Sequence, residues 1–246
     1  MFAIYKRELR SYFVTPVGYV FLGLMVLFSS LAFCFTTILS DTHNLTAYTV
    51  IMLFVYMVTL PMLTMKLFAE ERNLKTEQLL LTSPVSIGGM VMAKFFAAYS
   101  VFFVANLINS IAYSVLFYYS APEGGIIFGC FLAFSFVGMV FLTVGMFISS
   151  LTDNQLAAAI GTFGVMFFML LIGIISEIKT ADAYGNEQFI IPFMPVRFVL
   201  SWFSIYSRFA TFAKGIFSIP AIFYFVSFSF VFIFLTCRRY ERRRYH

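Results

Sequence analysis

The sequence predicts an all-α integral membrane protein with six transmembrane helices, and three observations carry that prediction. Only 11% of its residues are charged while 61% are hydrophobic, with a mean hydropathy of +0.93. Soluble domains carry about a quarter charged residues, so this chain has too little charge to cover a wetted surface. Aromatic side chains make up 20% of the chain, including 35 Phe and 14 Tyr, which is more than one buried core needs. Finally, six runs of about 20 residues or more are almost free of charge, long enough to cross a hydrocarbon core. Lipid offers no partner to a bare peptide group, so such runs must be helical.

The elements follow in chain order. Residues 1–16, "MFAIYKRELRSYFVTP", place Phe2, Tyr5, Leu9, Tyr12 and Phe13 on one helical face, with Lys6, Arg7 and Arg10 mostly on the other. That pattern predicts an amphipathic helix lying in the membrane interface, its basic side chains reaching out to headgroups; a simple positive anchor is the plainer reading. The apolar run that follows is expected to be too long for a signal h-region, and no small-x-small cleavage site closes it. The first span covers 17–39 and the second 48–67, with Pro61 as a kink. The third, 88–119, is long enough to tilt or project from the bilayer. Asn106 and Asn109, three apart on it, are candidates for lining a pathway, with interhelical hydrogen bonding the other reading. The fourth span covers 125–151, the fifth 156–175 and the sixth 216–236. Between the last two, residues 176–215 are interrupted by Pro192 and Pro195 and alternate polar with aromatic groups, which fits short or re-entrant helices dipping into the outer leaflet.

Lys and Arg set the orientation. With both termini inside, 12 of the 16 basic residues are cytoplasmic, among them Lys66, Lys94 and the tail at 238–246, "RRYERRRYH". The short outer loops "SDTHNLTA" and "SAPEGG" hold no Lys or Arg. The tail suits an anionic cytoplasmic leaflet.

The most polar stretch in the first two-thirds of the chain is "EERNLKTEQLLLTSPVS", residues 70–86. It is rich in good helix formers and is stopped by Pro84, since the residue before proline avoids the α region. The segment 68–86 therefore reads as a short charged helix held between two spans. About five residues would connect them, so the extra length points to a contact surface, against the alternative of an ordinary solvated hairpin.

The stretch "AEERNLKTEQLLLTSPVSIGGMVMAKF" resembles the cytoplasmic segment of ABC type-2 exporter permeases through Glu70, Glu71, Arg72, Thr76, Leu79, Leu80, Ser83, Pro84 and Ser86. "YKRELRSYFVTPVGYVF", "SSLTDNQLAAAIG" and "FAKGIFSIPAIFYFVSFSFVFIFLT" are similar too, and together they look like the gliding-motility-type permease branch. The resemblance implies a multi-pass subunit of the bacterial inner (cytoplasmic) membrane, with both termini cytoplasmic. It would pair with a second copy or a paralogue and dock a cytoplasmic ABC ATPase. A membrane-anchored extracytoplasmic accessory subunit is a further implied partner; nucleic acid is not. Glu70, Glu71, Arg72, Lys75, Thr76 and Glu77 would form the coupling contact with the ATPase. Asp153, in the turn "TDNQ", would add a smaller one, or cap the fifth span.

The chain contains no Gly-x-x-x-x-Gly-Lys-Ser/Thr stretch, no His-Glu-x-x-His and no Cys/His cluster. It is therefore expected to be no enzyme and to bind no cofactor itself, ATP and Mg²⁺ sitting on the partner. The rival readings are an ATPase-independent channel or secondary transporter, and a scaffold in a mechanical complex. Ion-coupled carriers keep ionisable groups at mid-membrane, and the middles of these spans have none.

Overall fold

The computed structural model describes residues 1–39, 46–73, 86–120, 124–177, 179–181, 187–189, 205–213, 215 and 218–245. Helix α1 (Phe2–Val14) precedes α2 (Val17–Phe33), which ends in a π-helical segment, Cys34–Ile38. Next come α3 (Thr46–Thr64) and the short α4 (Ala69–Asn73), then the long α5 (Ile87–Ser120), α6 (Gly124–Leu151) and α7 (Gln155–Glu177). A nine-residue α8 (Ile205–Ala213) and the terminal α9 (Ile219–Tyr245) complete the helices described.

Among the described residues, six helical stretches are long and apolar enough to cross a membrane: Val17–Thr36, Ala47–Asn73, Ile87–Ile111, Ile127–Leu151, Gln155–Ile175 and Ile219–Arg243. They coincide with the six spans expected from the sequence, so the chain is a multi-pass membrane protein. One feature of 176–215 was not expected: β1 (Lys179–Ala181) pairs antiparallel with β2 (Glu187–Phe189), Lys179 opposite Phe189. Cross-strand pairing lets this polar stretch satisfy its own backbone without a helix. Pro192 and Pro195 lie outside the described residues.

The fourth span is the axis of the bundle. Helix α6 packs against α3, α5, α7, α8 and α9, and Val137, Phe141, Val144 and Met146 on it are fully buried. Gly145 makes one of these approaches possible, since a Cβ there would stand 2.5 Å from the Thr64 hydroxyl at the end of α3. Helix α8, at about 1.5 Å per residue, is too short to cross the membrane. It buries Ile205, Phe209 and Phe212 against the bundle. Gly215, at φ 75°, then turns the chain toward α9, a conformation that glycine adopts without strain.

Candidate functional site

The polar groups that the sequence scatters over five elements converge at one end of the bundle, around the break between α3 and α4. Helix α3 stops one turn after the internal Pro61, and residues 65–68 form a turn before α4 starts. A helix end inside a bundle leaves carbonyls without partners. Three side chains from three other elements take them up. Tyr12 of α1 donates to the Leu63 carbonyl at 2.9 Å. Lys94 of α5 donates to Leu67 O at 2.8 Å, and Ser149 of α6 donates to Met65 O at 3.4 Å. Ser149 Oγ also accepts the N–H groups of Phe68 and Ala69 at 3.3 and 3.2 Å, capping the start of α4. Burial pushes the Tyr12 phenol well above its ordinary range, helped by Glu8 and Glu70, so it stays a protonated donor.

Lys94 is the centre of the electrostatics. Its side chain is 0% exposed, and Nζ lies 2.8 Å from Glu71 Oε1 and 3.3 Å from Glu8 Oε1. An ammonium has three donors; Leu67 O, Glu71 and Glu8 match all three. The ring of Phe68 lies 5.2 Å from the same nitrogen. Arg7 Nη2 closes the group, 2.5 Å from Glu8 and 2.9 Å from Glu71. Burial works against the Arg7 charge, but hydrogen bonds and attraction from Glu8 and Glu71 outweigh it and raise its pKa. Two cations and two carboxylates balance, which is the condition for charges to persist away from water.

Outer contacts extend this group. Lys66 lies 3.4 Å from Glu70 and donates to Thr15 Oγ1 at 3.0 Å, tying α4 to the α1–α2 turn. Arg72 Nε pairs with Asp153, in the turn joining the fourth and fifth spans. The ring of Phe68 packs on Tyr240 near the end of α9, centroids 4.7 Å apart. Helix α4 and the turn that leads into it are thus connected to α1, α5, α6, the α6–α7 turn and α9.

Of the residues picked out from the sequence, Glu70, Glu71, Arg72, Asp153 and Arg7 meet here. Lys75, Thr76 and Glu77 lie outside the described residues. The cap of the fifth span is Asn154, whose Oδ1 accepts the Leu156 N–H at 3.0 Å, while Asp153 faces Arg72. Lys6 and Arg10 stay exposed on α1. On α1 the packed face is not the one expected in full: Phe2 is 75% exposed, and Glu8 takes the inward place beside Tyr5, Leu9 and Tyr12. Its partners Lys94 and Arg7 remove the cost of that placement.

Glu8, Lys94 and Ser149 are the members that sequence reasoning missed. Glu8 carried a signal, because 5, 8, 9 and 12 follow the i, i+3, i+4, i+7 spacing of one helix face. Asn106 and Asn109 lie elsewhere. Asn106 accepts from the Tyr56 hydroxyl at 3.1 Å and donates to Ser135 Oγ at 3.0 Å, so it bridges the second, third and fourth spans. Asn109 is buried on the same helix.

Compared with known proteins, residues 34–244 match the family model described as ABC-2 family transporter protein. The match takes in Glu71, Arg72, Lys94 and Asp153 and leaves out α1. No curated protein matches the chain.

Proposed function

The chain belongs to the ABC-2 transporter family, and from that premise we propose that it is the permease subunit of an exporter driven by a separate cytoplasmic ABC ATPase. The observation that carries this reading is the attachment of α4. A five-residue helix would be a poor place to apply force if it hung from a loop. Here α4 and the turn before it are joined by ion pairs, carbonyl bonds and ring packing to five other elements. A displacement of α4 would be passed to α1 and to the second, third, fourth and last spans together, as a rigid-body gate requires.

In this reading the segment 68–86 is the coupling helix. Glu70, Glu71 and Arg72 form its anchored root, and Lys75, Thr76 and Glu77 are its contact with the ATPase. Asp153 extends the contact surface through Arg72. The charged end is cytoplasmic, so that both termini lie on the cytoplasmic side of the bacterial inner membrane, with α1 at the interface. The permease works as a dimer with a second copy or a paralogue, beside an extracytoplasmic accessory subunit, and its family branch is the gliding-motility type. Residues 176–215 close the outer side.

The test is ATP hydrolysis by the complex purified through this subunit, comparing wild type with Arg72→Ala and Thr76→Ala. The expected result is a co-purifying ATPase whose turnover falls severalfold in both variants while the spans remain folded. If gentle extraction brings no ATPase, and the reconstituted protein moves solute without ATP, the reading is wrong and a channel or carrier replaces it.

A further inference from the structure

A second face of α1 lies away from the charged junction. Between α1 and the outward side of α5 runs an apolar groove of about 560 Å³, a size within the range of sites that hold small apolar ligands, about 300–1,000 Å³. Phe2 and Tyr5 form one wall, Met92, Phe96 and Ser100 the other, with Ala93 between them. The polar side chains of the lining are already matched to each other. Ser100 Oγ donates to Phe96 O at 2.7 Å, which leaves it to accept the Tyr5 hydroxyl at 3.0 Å. An occupant therefore finds hydrocarbon walls and no side chain free to hydrogen-bond, which favours an alkyl chain over a polar ligand.

Two cations follow Phe2 along α1. Lys6 and Arg10 continue the helical line of Phe2 at i+4 and i+8, and both are exposed. Arg7 is engaged by Glu8 and Glu71, whereas Lys6 and Arg10 make no ion pair with any described residue. The neighbouring ion pairs mark this level as the edge of the hydrocarbon, because charge is expensive deeper in. Long basic side chains at such an edge reach headgroups, and anionic headgroups attract them.

We infer that the groove holds one acyl chain of an anionic phospholipid from the surrounding bilayer, with the headgroup phosphate on Lys6 and Arg10. Such a lipid fastens the start of α1 to the third span, beside the Glu8–Lys94 contact. The inference requires a membrane and not an ATPase, so it stands or fails separately from the transport reading.

The test places the full chain in nanodiscs of phosphatidylcholine, doped with phosphatidylglycerol bearing a photoactivatable group on its acyl chain. A second set carries the same probe on phosphatidylcholine, and adducts are mapped by peptide mass spectrometry. The expected result is labelling concentrated on the α5 peptide containing Met92 and Phe96. It should favour the anionic probe by roughly fivefold for each cation. Lys6→Gln with Arg10→Gln, both exposed and expected to leave thermal stability unchanged, should bring the two probes to parity. Met92→Trp, which fills the groove, should suppress labelling by both. Labelling spread evenly over the exposed faces of all spans would overturn the inference and leave only solvating lipid. So would an anionic preference that survives the charge variants, or labelling that Met92→Trp does not reduce.

Discussion

At one end of the bundle five elements meet through charges and captured carbonyls; toward the other, helices of the same bundle meet through rings. Phe134 sits 5.3 Å from both Tyr56 and Phe209, Phe136 stacks on Phe225 at 6.0 Å, and Tyr48 is held by Ser29 at 2.8 Å. Ring contacts are broad and lose little when one surface slides by a few tenths of an ångström. The Lys94 contacts are directional, short and mutually dependent, so they hold as a set or open as a set. The ring-packed end is suited to shear and the charged end to a discrete change of state.

The largest test of this contrast is Lys94→Met, which strands Glu8 and Glu71 beside each other in a largely buried site. It should cost about 3–5 kcal/mol, read as a lower unfolding temperature in detergent. Adding Glu71→Gln should recover much of that loss. If the double variant is no more stable than the single one, the junction is not held by charge balance and the contrast breaks.

A middle-sized effect is expected at the ring-packed end, where Phe209→Ala removes its contact with Phe134. The loss is about 1 kcal/mol for the ring pair, plus whatever packing the neighbours fail to recover. Combined with Lys94→Met, the two losses should add to within about 0.5 kcal/mol. A larger deviation measured in the same unfolding assay would show that the ends communicate even at rest.

The smallest effect sharpens the contrast from the wet side. Asp153 is 69% exposed where it meets Arg72, and pairs of this kind contribute about 0–1 kcal/mol. Asp153→Asn should leave the unfolding temperature almost unchanged. Its consequence, on the coupling reading, is a fall in ATP turnover, so stability and turnover measured together separate a coupling contact from a structural one.

The spans were legible because hydropathy alone defines them: a run such as 125–151 has one physically acceptable form in lipid. The site was legible only in part. Glu70, Glu71, Arg72 and Asp153 came from the resemblance to known permeases, and the structure brings them together. Lys94 was read as one more cytoplasmic charge, since sequence gives its sign but not its burial. Its partners Glu8 and Glu71 are far from it along the chain, and no local rule pairs positions across three helices. Ser149 was hidden for a related reason. Its role depends on a helix break in another span, and Gly145, one turn earlier, is what brings the two close.

That break has a consequence for how the chain is made. Its carbonyls belong to the second span, which leaves the ribosome before two of the side chains that receive them. Tyr12 is already present, Lys94 arrives with the third span and Ser149 only with the fourth. Until then water must serve the exposed groups, which keeps this end of the second span at the membrane surface during synthesis. A nascent chain released after the third span would stay partly hydrated there, and its quality control would depend on how long that wet seam remains open.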